Sequence, residues 1–205
     1  MTAAVLARTV ATLREFTRER PAVEWCGLCA APLPPAHDHL LDPDGRRLQC
    51  ACHPCARLLG DTAAARWRLV RHRVKQLEGV RLADDAWRAL GTPVDLAFLV
   101  RTGPPGRVVV RYPSPAGTVE SSVAPAAWAA VVATNPALAD LRPDVEALLV
   151  NRTGARRDHY LVSIDECYRL VGLLRRHWRG LGGGGEIQAH VGQFFAELDT
   201  AAGGA

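Results

Sequence analysis

Two CxxC pairs, Cys26-Gly27-Leu28-Cys29 and Cys52-His53-Pro54-Cys55, constrain this chain more than any other feature. A CxxC turn points two thiolates at one centre, and two such turns complete the four-coordinate shell that zinc prefers. The 22 residues between Cys29 and Cys52 suit two knuckles of one module. Between them, Leu40 and Leu41 face Arg46 to Leu48 across Asp42, Pro43, Asp44 and Gly45, which reads as a hairpin turn. After Cys55, Ala56 to Gly60 reads as the continuation of a helix. A knuckle, a hairpin and a helix whose first turn carries the second CxxC make a treble-clef-like arrangement, and the helix N-terminus favours thiolates.

Residues 24 to 60 hold few bulky apolar side chains, so this segment cannot build a core alone and needs a staple. The expected metal ligands are Cys26, Cys29, Cys52 and Cys55, with zinc as the cofactor and iron as the alternative, because four thiolates also suit a rubredoxin-type iron or an iron-sulfur cluster. With four protein ligands the site is closed and structural, whereas a catalytic zinc keeps a position for water. Cys50 is a fifth thiol nearby, and His37, His39 and His53 sit close enough to replace a ligand or to support one, but each reads first as a solvated loop histidine. Five of the six cysteines fall within 30 residues. Such clustering argues for metal and a reducing compartment rather than a disulfide framework, and a cytoplasmic location is expected.

The rest of the chain reads as an α+β domain spanning residues 61–205, behind an N-terminal unit of residues 1–60. Leu6, Val10, Leu13 and Phe16 mark an amphipathic helix over residues 3–19, which Pro21 ends. Residues 63–77 are mixed, and 84–90 read as a short helix. Residues 94–101, 107–112 and 117–123 are rich in β-formers and separated by GPPG and PSPAG turns. A helix follows Pro125, then a second hairpin over 145–151 and 159–164. Residues 165–179 form an amphipathic helix, ended by Gly182 to Gly185, and 186–198 form another. The expectation is an antiparallel sheet of about four or five strands packed with helices.

Other features are weaker. No basic segment precedes an apolar run at the N-terminus, and no stretch of about 18 apolar residues exists, so neither a signal peptide nor a membrane span is expected. The net charge is +4, but of the 25 basic residues only Lys75 is not Arg, a compositional bias that makes mild positive charge weak evidence for an anionic partner. The run from Arg66 to Lys75 therefore reads as a solvated face, and nucleic acid is not indicated. Cys167, spaced with Leu170, Val171 and Leu174, reads as a core cysteine, and Ser114 as a turn residue. Asp38 and His39 beside Cys52 and Cys55 are faintly similar to the HNH nuclease motif. A downstream Asn is missing, and Ala56 stands where a His would follow Cys55.

The segments YPSPAGTVESS (112–122), PDVEALLVNR (143–152) and IDECYRLVGLLRRHWRGLGGG (164–184), with the cysteine elements, carry a more extensive likeness. They resemble an uncharacterised family found mainly in actinobacteria and often encoded beside nickel-iron hydrogenase genes. The resemblance implies a context: a non-enzymatic metal-binding accessory protein in nickel-iron hydrogenase assembly or maturation, with hydrogenase subunits or maturation factors as partners. A rubredoxin-like electron carrier in the same pathway and an HNH-like nuclease are the alternatives.

Overall fold

The computed structural model describes residues 23–44, 47–60, 66–103, 106–114, 117–178 and 184–204. The helix expected over 3–19 lies outside them. The described residues form an α+β structure with two antiparallel sheets and five α-helices.

The N-terminal module contains β1 (Asp38–Asp42), β2 (Arg47–Ala51) and α1 (His53–Gly60). The hairpin register pairs Leu40 with Gln49 and Asp42 with Arg47. A third short strand, β3 (Arg68–Val70), pairs with β1 on its other side, giving the order β2-β1-β3. Leu40, Ala51 and Ala56 are fully buried between hairpin and helix, and the partly buried Leu28, Leu59, Trp67 and Leu69 pack against them to complete this small core.

The larger sheet has six strands in the order β4-β9-β8-β5-β6-β7. They are β4 (Val74–Gln76), β5 (Leu96–Arg101), β6 (Val108–Ser114), β7 (Gly117–Ser122), β8 (Glu146–Asn151) and β9 (Asp158–Ser163). Between them run α2 (Asp84–Ala89), α3 (Pro125–Thr134) and a 3-10 turn (Pro136–Leu138); after β9 come α4 (Ile164–His177) and α5 (Gly184–Gly203). Pro125 opens α3, where its missing N–H costs nothing. Gly184 and Gly185 already belong to α5, and α4 ends earlier than the glycine run, at His177.

Both faces of this sheet are covered. Phe98, Val100, Ala147, Leu149, Tyr160 and Val162 face α4 and α5, while Ala97, Leu99, Val110, Leu148, Val150 and Leu161 face the α2 and α3 side. The central strands β5 and β8 are therefore apolar at consecutive positions instead of alternating, as strands buried on two sides must be. Sequence reading found β5 to β9 within a residue or two. It did not resolve β3 and β4, which lie in the mixed stretch before residue 77, and β4 raises the sheet to six strands.

Candidate metal centre

The first knuckle is a tight loop closed by its own backbone. The Cys26 amide donates to the Ala31 carbonyl at 2.8 Å, and the Ala30 amide to the Cys26 carbonyl at 2.9 Å. Ala30 sits at φ 56°, the left-handed turn position that glycine most often takes. The Gly27 amide donates to the Cys50 carbonyl at 2.9 Å, which hooks the knuckle to the end of β2. The second CxxC straddles the start of α1. Cys52 precedes the helix and its carbonyl accepts the Ala56 amide at 3.0 Å, while Cys55 lies in the first turn.

These two turns bring the sulfurs of Cys26, Cys29, Cys52 and Cys55 within 4.8 Å of one another. Cys29 Sγ and Cys52 Sγ are 3.6 Å apart. A tetrahedral ion with metal–sulfur bonds of ~2.3 Å holds its sulfurs about 3.8 Å apart, so the donor set fits such an ion. One thiol, that of Cys26, is already polarised toward this role. Burial opposes ionisation of Cys26, yet the backbone amides of Cys52, Leu28 and Cys29 donate toward its sulfur and hold its pKa down at about 6. Cys55 is pushed the other way, to about 12, by its contacts with the Cys52 and Cys29 sulfurs together with burial. A cluster that tolerates one thiolate but resists more is the situation a divalent cation relieves.

Cys50 stands outside this set. His53 is exposed on the first residue of α1 and pairs with Asp38 at 3.0 Å. His37 and His39 are not solvated loop residues. Their side chains are only 6% and 23% exposed, and His39 Nδ1 lies 3.0 Å from Asp165 Oδ2 in the first turn of α4. The sequence contained the signal for this in the alternation His37-x-His39-x-Leu41, which places all three on one side of an extended strand.

The basic run is largely spent on ion pairs. Arg66 meets Asp42 at 2.7 Å, Arg68 meets Asp144 at 3.4 Å, and Arg73 meets Glu146 at 2.9 Å. Arg66 and Arg68 also line a cleft of 350 Å³ between the hairpin and the larger sheet, with Arg107, Arg111, Asp44 and Asp144. Cys167 is fully buried in the core under α4, and burial raises its thiol pKa well above the ordinary value, so it is inert packing. Ser114 is the register partner of Gly117 at the end of the β6–β7 hairpin.

Fold and donor set together define an α+β protein with a treble-clef-like, four-cysteine module able to hold a metal ion. Residues 25–202 match the family of unknown function DUF5947, and the chain belongs to that family. No curated protein and no solved structure matches it. Among the described residues, no helix is long and apolar enough to cross a membrane.

Proposed function

We propose that this chain is a non-enzymatic, zinc-stapled accessory protein that acts through a protein partner in the cytoplasm. The observation that carries the reading is the closed donor set: four cysteine sulfurs within 4.8 Å of one another leave a tetrahedral ion no position for water or substrate. Zinc at Cys26, Cys29, Cys52 and Cys55 supplies a fixed hairpin and helix where the apolar core, three fully buried residues with a few partly buried ones against them, is too small to do so. The likeness to proteins encoded beside nickel-iron hydrogenase genes supports assembly or maturation of such a hydrogenase as the setting, with its subunits or maturation factors as partners.

The same four thiolates also suit a single iron, which would make the module a rubredoxin-like electron carrier in that pathway. Metal analysis and an absorption spectrum of anaerobically purified protein separate the two. Colourless protein with about one zinc in the four-cysteine site supports the staple, and a coloured protein with a reversible redox change supports the carrier. The accessory role is tested by affinity capture with hydrogenase subunits and by deletion. Capture that recovers no subunit, together with unchanged hydrogenase activity in a deletion strain, refutes it.

A further inference from the structure

The side of the hairpin that faces away from Leu40 carries a second group of donors. His39 and Leu41 share this side of β1, His37 immediately precedes the strand, and the register sets Cys50 opposite His39 and Leu48 opposite Leu41. Leu41 and Leu48 pack into the core cluster that also holds Ile164, Cys167 and Leu170 of α4. His37, His39 and Cys50 therefore lie where the module meets the larger domain. A ring nitrogen from each histidine and the Cys50 sulfur are all within 4.8 Å of one another.

Each ring is oriented by its other nitrogen. His37 Nδ1 lies 2.9 Å from the Pro34 carbonyl oxygen, which can only accept, so Nδ1 carries the proton and Nε2 the lone pair. That Nε2 is buried and has no hydrogen-bond partner, with Glu24 Oε2 standing 3.5 Å away. His39 Nδ1 donates to Asp165 Oδ2 at 3.0 Å, which again leaves Nε2 as the free donor atom. Burial works against the Asp165 carboxylate, but the His39 and Ser163 hydrogen bonds hold its pKa below the ordinary value, so it stays an acceptor. A carbonyl or carboxylate on the far nitrogen is how proteins fix the tautomer and aim of a metal-binding histidine.

We propose that His37 and His39 through Nε2, and Cys50 through Sγ, bind one divalent transition-metal ion of the zinc class, with the fourth position left to Glu24 or water. Two imidazoles and one thiolate suit zinc, and cobalt(II) or nickel(II) enter the same donors. On binding, the Cys50 thiol gives its proton to solvent as the metal–sulfur bond forms, and no electron moves. This site differs in kind from the four-cysteine one: with water in the fourth position, three protein ligands and an open position permit ligand exchange at the ion. It does not depend on the staple being zinc. His39 is held by α4, so Asp165 is a positioning residue for the site and links one of its ligands to the domain.

The test counts metal. His177, Glu186 and His190 also bring donor atoms within 4.8 Å, so every protein carries His190→Ala. Zinc-saturated, gel-filtered protein is expected to hold about two ions per chain, and His37→Ala with His39→Ala about one. Cobalt(II) added to protein whose four-cysteine site is filled with zinc is expected to give a sulfur-to-cobalt charge-transfer band that Cys50→Ser abolishes. Asp165→Asn keeps all three ligands and is expected to weaken only this ion, by about 10–100-fold. About one ion per chain before mutation, or about two retained in the double variant, overturns the proposal. Should the double variant fail to fold, the cobalt titration decides, because absence of the band in folded protein refutes the site. Cys52→Ser is measured in parallel, so loss of the four-cysteine ion is scored separately from loss of this one.

Discussion

His39 and Asp165, 126 residues apart in the chain, meet through a 3.0 Å hydrogen bond between Nδ1 and Oδ2. The contact joins β1 of the small module to the first turn of α4, where Asp165 Oδ1 also accepts the Glu166 amide at 3.0 Å. Asp165→Ala removes both acceptors and leaves a half-buried ring N–H without its partner. Urea unfolding is expected to show a loss of about 1–3 kcal/mol with an unchanged slope. A loss near zero would mean that solvent replaces the carboxylate and that the junction is looser than the structure shows.

Glu146 gives a pH-dependent prediction. Its side chain is fully buried at the start of β8 and is met by Arg73 at 2.9 Å, Arg142 at 2.7 Å and the Arg142 amide at 3.0 Å. Burial alone would raise its pKa, but the Arg142 amide and the two guanidiniums outweigh burial and hold it below the ordinary glutamate value. A depressed folded pKa means that the stabilisation is present above the unfolded-state value and is lost as pH falls through the folded one. Glu146→Ala removes the acceptor of two guanidiniums that solvent can still reach, and is expected to cost about 1–3 kcal/mol near neutral pH. Against Glu146→Gln, the wild-type advantage should be full at neutral pH and shrink as pH falls below about 5, through the ordinary glutamate range and on through the lower folded value. An advantage that is flat or grows on acidification contradicts the assignment.

Two glycines should respond in opposite directions. A Cβ on Gly60, at the end of α1, would stand 2.7 Å from Leu40 Cδ2 and 2.9 Å from Leu69 Cβ, inside the small core. Gly60→Ala should therefore destabilise by about 1–3 kcal/mol through overpacking. Gly172 lies on the exposed side of α4, with nothing within 4 Å of the same position. Gly172→Ala should stabilise by about 0.5–1 kcal/mol, because it removes backbone freedom from the unfolded chain at no steric cost. Thermal melts of the two variants check both signs.

How much of this was legible in the sequence follows from the length scale of each signal. The strands β5 to β9 and the helices α2 to α5 are six residues or longer, enough for apolar runs and 3.6-residue periods to register. The strands β3 and β4 have three residues each, too few for any period, and they exist because β1 and β9 offer them edges. The placement of β5 between β6 and β8 was equally hidden, since it depends on sheet order and not on local pattern. The CxxC pairs were readable because a fixed spacing encodes their geometry. His37, His39 and Cys50 were half readable: alternation gives the shared face, but the Cys50 pairing needs the hairpin register and the Asp165 contact needs the tertiary fold.

Metal removal should separate the two parts of the molecule. Among the described residues the module's own core is Leu40, Ala51 and Ala56 with a few partly buried neighbours, whereas the six-stranded sheet is packed on both faces by large clusters that include Phe98, Leu99, Leu148 and Tyr160. Losing an ion from Cys26, Cys29, Cys52 and Cys55 therefore removes most of what fixes the knuckle and α1, while the sheet keeps its burial. Incubation with a strong chelator at neutral pH, followed by amide hydrogen exchange, should show fast exchange over residues 23–44 and 47–60 and retained protection in β5, β8 and β9. The β1 amides near Val70 and Leu69 should lie between these extremes, because β3 still pairs with them. Cys52→Ser should reproduce the chelator pattern without chelator, and Cys50→Ser should not, since Cys50 stands outside the four-sulfur set. Uniform loss of protection across both sheets would show instead that the module and the domain unfold as one unit. Unchanged protection would show that the four thiols hold their geometry without an ion, which would rule out the staple.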